Sequence, residues 1–253
     1  MSAEEPRTMK SSAVKSSAEL TGTTADAVAG VVGSVFSQLE QWRDELVPLG
    51  GSAKGAELDE LVERLVMPEL TRVDPLFVGA GFVAAPEFVH DRDVSFSWWL
   101  GPFESTPLAA ATTEPTRFDV KTRSHMEYVR NFGSLEWYSV PATTRGAHIT
   151  GPYVDQLCTV DYILTFTLPV VGDEGLMGVV GADVLVSRFE RELLPLFLDP
   201  RHPLTLVNGV GRVIVSSDPT VPAGALDRTP EEATVPCPGT PFRVVGPRTM
   251  AAA

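Results

Sequence analysis

The 253-residue chain is acidic, with 20 Lys and Arg against 33 Asp and Glu, a formal net charge of −13 and a pI near 4.7. That charge repels phosphate backbones and anionic surfaces, which argues against nucleic acid and membrane as partners. Its two cysteines, Cys158 and Cys237, stand far apart with no Cys or His at metal-ligand spacing, so neither a disulfide framework, a metal site nor a cofactor is expected.

Residues 1–18 are small, polar and Ser-rich and bury too little apolar area to offset the entropy of ordering, so they are expected to be disordered. Glu4, Glu5, Arg7 and Lys10 are followed by a Ser-rich stretch without the apolar run of a secretory signal, and a cytoplasmic setting is expected. A long helix is predicted over residues 19–50, because Val28, Val32, Val35, Leu39, Trp42 and Leu46 recur at steps of four and three on one stripe. Thr23 with Asp26 offers a start, and Pro48 with Gly50-Gly51 a stop. The spacing suits two uses equally: a coiled-coil seam joining a homodimer, or packing on the chain's own sheet.

A second helix is predicted from Ala56 to Met67, with Leu58, Leu61, Val62 and Leu65 inward and Pro68 ending it; Glu57, Glu60 and Glu63 form its solvated face. Strands follow at Phe77 to Ala84, Ser95 to Leu100, Tyr162 to Val171, Leu176 to Val184, Pro203 to Val207 and Arg212 to Ser216. Tyr162 to Val170 alternates apolar with polar-leaning residues, the pattern of a half-buried strand. Gly172-Asp173-Glu174-Gly175 and Asn208-Gly209-Val210-Gly211 close hairpins, and Ser187 with Glu190 has capping-box spacing. Helices followed by hairpins predict an α+β fold with a mainly antiparallel sheet.

Among candidate chemistries, Gly79-Ala80-Gly81 only superficially resembles a dinucleotide loop, since Pro86 follows and no amphipathic helix opens. His90, His125, His148 and His202 stand singly. Glu136-Trp137-Tyr138 places an acid and two large aromatics before Pro141, which is expected to stop regular structure; the rings either fill core under a loop or wall a pocket whose π faces suit a cation. Asp155 follows the Gly151-Pro152 turn. Asp183 interrupts the apolar run Met177 to Val186, where a lone carboxylate is costly; it either meets a ligand or bonds backbone amides ahead of the Ser187 helix.

Taken in order, Trp137-Tyr138, Pro152-Tyr153-Val154-Asp155, Leu168-Pro169-Val170, Gly178-Val179-Val180-Gly181-Ala182-Asp183 and the Asn208 to Ser216 hairpin resemble the Cache (PAS-like, PDC) sensor superfamily. The resemblance covers residues 20 to 220 and implies an antiparallel PAS-like sheet flanked by helices, with residues 51–250 as the ligand-binding domain. In the amino-acid-binding branch an arginine two residues before the tryptophan grips the ligand carboxylate, while the tyrosine and two aspartates receive its amino group. Trp137, Tyr138, Asp155 and Asp183 fall at matching positions; the arginine position is Leu135, and an upstream tyrosine position is Arg130.

The resemblance therefore implies a non-enzymatic sensor whose site comprises Glu136, Trp137, Tyr138, Tyr153, Asp155 and Asp183, with Arg130 able to replace the missing arginine. Acids and aromatic faces without the arginine suit an amine better than an amino acid. A transcriptional regulator or other signalling protein is the expected partner. The alternatives are an amino-acid sensor, a hydrolase or lyase using Asp155 and Asp183 as an acid–base pair, and a scaffold that dimerises through its N-terminal helix.

Overall fold

The computed structural model describes residues 17–92, 95–102, 112–118, 132–154, 161–197 and 202–247. A 30-residue helix, α1 (Ser17–Leu46), opens the chain and passes into a 3-10 turn (Val47–Ser52) at Pro48. Ser17 and Ala18 are thus helical rather than part of a disordered lead. Thr23 lies inside the helix, and its hydroxyl donates back to the Glu19 carbonyl at 2.8 Å instead of capping.

The predicted stripe settles the choice that periodicity left open. Val28, Val32, Val35, Leu39, Trp42 and Leu46 are each at most 2 % exposed, packed on the main sheet within this chain, with Phe36 edge-on to Phe166 at 5.7 Å. The stripe is therefore not a homodimer seam. Burying it on strands of the same chain needs no second copy, and Gly30, Gly33, Ser34 and Glu40 face solvent.

Helix α2 (Gly55–Leu70) runs past Pro68 by two residues. A proline forfeits only the bond its own nitrogen would donate, and the fully buried Leu70 holds the last turn down until Thr71 donates its N–H to the Met67 carbonyl. The inward line is Leu58, Val62, Val66 and Leu70, with Leu61 and Leu65 at its rim and Glu57, Glu60 and Glu63 in solvent.

The main sheet has six strands in the order β3-β2-β1-β6-β5-β4: β1 (Phe77–Ala84), β2 (Phe96–Leu100), β3 (Thr116–Arg117), β4 (His148–Val154), β5 (Tyr162–Gly172) and β6 (Gly175–Leu185). All its pairings are antiparallel. The β5–β6 hairpin closes at Gly172 opposite Gly175, as expected. Helix α3 (Glu136–Thr144) lies between β3 and β4, and α4 (Val186–Leu193) leaves β6 directly. Ser187 does not cap α4: its N-cap is Leu185, in extended conformation and without a side-chain bond.

A second sheet orders as β8-β7-β10-β9, from β7 (Thr205–Val207), β8 (Val213–Ser216), β9 (Thr234–Pro236) and β10 (Arg243–Val245). Asn208 folds the β7–β8 turn by accepting the N–H of Val210 and Arg212 on its side-chain oxygen at 3.1 and 2.8 Å. One continuous core joins the sheets through α1 and α4, from Val28 and Phe166 to Phe189, Phe242 and Val244. In it burial pushes the Cys237 thiol up to about 12, with Asp26 adding to the effect, so the thiol stays protonated.

Candidate functional site

Strand parity divides the main sheet into two faces. Leu164, Phe166, Leu168, Val170, Val180, Ala182 and Val184 point into the core beneath α1. The intervening residues form an outer floor. Its first row runs Leu100, Gly79, Asp183, Thr165, Thr150, and its second Trp98, Gly81, Gly181, Thr167, His148. A third carries Phe96, Val83, Val179 and Pro169.

The floor is low in the middle because glycines occupy it. A Cβ on Gly79 would lie 2.9 Å from Trp98 Nε1 and 3.2 Å from Asp183 Oδ2, so the indole and the carboxylate share the space above that backbone. Thr165, Thr167 and Asp183 are nonetheless buried. β5 is covered on both faces rather than half-buried as expected, because α3 lies over β4, β5 and β6.

Tyr153 reaches the same face through a register change. Thr150 pairs with Thr165, but Tyr153 pairs with Ile163, so the segment at Gly151 and Pro152 holds one extra residue. Without it Pro152 would oppose Ile163 and Tyr153 would turn away. Gly151 takes a φ of 111°, where a Cβ would lie 2.6 Å from the Ile163 carbonyl oxygen. Asn208 of the second sheet donates to the Gly151 carbonyl at 2.8 Å and holds the bulge. The segment read as a turn is therefore part of β4.

The polar groups on the floor are chained. Thr165 Oγ1 donates to Asp183 Oδ1 at 2.7 Å and lies 2.8 Å from the Tyr153 hydroxyl. Asp183 is 8 % exposed and sits inside β6, so its described bond goes to a neighbouring strand rather than to backbone amides ahead of α4.

Above the floor, Glu136-Trp137-Tyr138 opens α3 instead of lying in a loop. Pro141 is within that helix and forfeits one intrahelical bond, and Arg145 ends it in left-handed conformation with its N–H on the Pro141 carbonyl. Trp137 and Tyr138 join an aromatic cluster: Tyr138 meets Phe132 at 4.7 Å and Trp137 meets Phe96 at 6.4 Å, both edge-on. Leu135 belongs to this cluster.

The Tyr138 hydroxyl is enclosed and has no hydrogen-bond partner among the described residues. Burial pushes its ionisation up to about 12, partly countered by Arg145, so the phenol stays neutral. The Thr150 hydroxyl on the floor is likewise enclosed without a described partner. Glu136 is set apart: its carboxylate is 60 % exposed and lies 3.0 Å from His148 Nε2 at the rim. Asp155 and Arg130 lie outside the described residues.

Three supporting features escaped the sequence reading. Thr165 carries no motif, and only the β5–β6 register puts it beside Asp183. Asp59 of α2, 8 % exposed, accepts from Ser97 at 2.6 Å and pairs with Arg92 at 2.7 Å and Arg117 at 2.6 Å, fixing the strand that carries Trp98. Arg188 of α4 donates to the carbonyls of Pro75, Phe77 and Pro102 at 2.9, 2.8 and 3.4 Å; burial, then nearby Arg191, lowers its pKa. A wide concavity of about 710 Å³ around Glu87, Phe88 and Gly172 to Met177 lies at the β5–β6 turn and contains none of the expected site residues. Among the described residues no three His, Cys, Asp or Glu are grouped to hold a metal ion, and no helix is long and apolar enough to cross a membrane.

Residues 85–191 match the family model described as methyl-accepting chemotaxis protein-like, first PDC sensor domain. No curated protein matches the sequence. Among solved structures, the chain is similar to the ligand-binding domain of the Pseudomonas aeruginosa PAO1 amino acid chemoreceptor PctC in complex with GABA, at 18 % identity and TM-score 0.56, covering 89 % of this chain and 96 % of that one. The ligand-binding domain of the Pseudomonas fluorescens chemoreceptor CtaA in complex with L-valine aligns at 16 % identity and TM-score 0.58, covering 93 % and 96 %. The extracellular domain of the putative histidine kinase soHK1S-Z6 aligns at 15 % identity and TM-score 0.60, covering 91 % of each chain. The expected α+β fold, an antiparallel PAS-like sheet with a long N-terminal helix, is thereby borne out.

Proposed function

We propose that the chain senses a small ammonium-bearing molecule on the outer face of its main sheet and passes the event to a signalling partner, a reading supported by the match of residues 85–191 to a PDC sensor-domain model of the chemotaxis-receptor type. The observation that carries this reading is Asp183. Its carboxylate lies on the outer floor, 8 % exposed, with Oδ1 accepting from Thr165 and Oδ2 beside the Trp98 indole over Gly79, so a ligand cation placed there meets an acid and an aromatic face. Tyr153 and Thr165 extend the acceptor surface, and Trp98 supplies an aromatic wall.

An amine fits this site better than an amino acid because Leu135 packs among aromatic rings where a carboxylate-gripping arginine would stand. The amino-acid reading draws its support from the PctC and CtaA domains, described as bound to GABA and L-valine. Signal output has a path through the sheet. α3 covers β5 and β6 on the ligand side, and α1 packs on the reverse of the same strands, so closure of α3 would bias how α1 sits. A chemoreceptor or histidine-kinase type of partner suits that geometry.

The test is a thermal-shift screen with primary amines, quaternary amines and amino acids, on wild type and Asp183→Asn. A ligand at 100 times its Kd raises wild-type stability by about 2.7 kcal/mol. The variant should keep its fold and lose that shift. No shift with any compound would sink the sensor reading, and an undiminished shift in Asp183→Asn would remove Asp183 from the site.

A further inference from the structure

Away from the outer floor, the concavity of about 710 Å³ at the β5–β6 turn is built from two kinds of surface. Its bed is apolar: Phe88 and Met177 are buried, while Val47, Pro48 and Leu176 keep area in contact with solvent. Its walls carry Glu87, Asp173 and Glu174, all exposed, and none of these carboxylates has a hydrogen-bond or ion-pair partner among the described residues. His90 is the other titratable group of the lining, and no described Lys or Arg joins it. The walls are tied together, because Ala85 donates its N–H to the Met177 carbonyl at 2.8 Å and Phe88 donates its own to the Ala85 carbonyl at 3.2 Å. Met177 and Asp183 lie near opposite ends of β6, about 20 Å apart along the strand, so the concavity and the outer-floor site share no residue.

We infer that this concavity is a docking surface for a basic segment of a partner protein, one that alternates Lys or Arg with apolar side chains. The shape argues for a protein segment. A wide, open depression does not enclose a free amine as a small-molecule pocket does, yet it seats side chains that reach in from one side. The charge argues for a basic segment: unpaired carboxylates around a lining without described cations make a negative potential that steers and orients Lys and Arg. Their aliphatic stems and the apolar side chains between them match Val47, Pro48 and Leu176. The same potential disfavours a second copy of this chain, whose net charge is also −13. The inference goes beyond the ammonium reading and does not depend on it.

The test is fluorescence anisotropy on the full chain with two labelled, end-blocked peptides, one alternating Lys and Arg with Leu and the other alternating them with Ser. Wild type should bind the Leu peptide saturably and the Ser peptide at least about threefold more weakly. The variant Glu87→Gln/Asp173→Asn/Glu174→Gln should bind the Leu peptide at least about fivefold more weakly than wild type. Glu57→Gln/Glu60→Gln/Glu63→Gln removes as much charge from the exposed face of α2 and should stay within about twofold of wild type. Val47→Ser, at a position 36 % exposed, should also weaken the Leu peptide and serves if the concavity triple variant does not fold. No saturable binding by wild type, equal loss in both triple variants, or no loss in the concavity variants overturns docking here. Association of wild-type copies that the concavity triple variant abolishes would assign the surface to a second copy and overturns the basic partner. Each of these outcomes leaves the ammonium reading standing.

Discussion

The two faces of the main sheet are made by the same strands and are both buried, yet they are built for different ends. The inner face of β5 presents Leu164, Phe166, Leu168 and Val170 to α1; the outer face presents Thr165 and Thr167, with Asp183 and Gly181 beside them on β6. Apolar packing on the inner face needs no directional partner and tolerates no void. The outer floor uses glycines to let neighbouring groups approach its backbone closely and keeps polar groups under cover, an arrangement that costs stability unless those groups are matched. The aliphatic packing under α1 therefore lies on one side of the sheet, and the polar groups that we propose for recognition on the other.

Truncation on the two sides should separate these roles. The largest effect is expected from Phe166→Ala, which removes a fully buried ring packed on Phe36 and Phe189. Denaturant unfolding should show a loss of about 3–5 kcal/mol; a loss below about 1 kcal/mol would mean that the inner face does not dominate stability. Tyr138→Phe should act in the opposite direction. Its enclosed hydroxyl lacks a partner among the described residues, so removing it should leave the protein unchanged or about 1 kcal/mol more stable while weakening ligand binding. Destabilisation by several kcal/mol would show that the hydroxyl is bonded in the protein, and unaltered affinity would take it out of the site.

A separate effect is expected from alkaline pH. Tyr138 ionises near 12 in the fold against 10 for an unburied phenol, so the folded state holds its proton where the unfolded chain has lost it. That contribution is complete below pH 10 and fades as pH rises through 12. Thermal melts in that window should fall less steeply for Tyr138→Phe than for wild type, and parallel curves would contradict the burial of the phenol.

Periodicity made much of this molecule legible in advance. The α1 stripe, the two long strands of the β5–β6 hairpin and the glycine turn between them were readable because each depends on residues near one another in the chain. Asp183 announced itself as a carboxylate in an apolar run. Local signals failed where tertiary contacts outweighed them: Pro141 and Pro68 were read as stops, but packing of Tyr138 and Leu70 carries both helices through. Ser187 had the right spacing for a cap, yet the chain turns from β6 into α4 with no room for one. β4, β9 and β10 were missed because their short segments carry little alternation of their own and are held by partners distant in sequence.

Alternation and glycine placement in the sequence by themselves determined that the sheet would have an apolar face and a face of small and polar residues, since strand geometry sends neighbours to opposite sides. Tertiary structure alone decided three things: that α1 spends its stripe within the chain, that the bulge at Gly151 and Pro152 turns Tyr153 onto the outer face, and that Thr165 stands between Tyr153 and Asp183. Each depends on register between strands separated in the chain. Register is fixed by the summed packing of whole strands and not by any short motif.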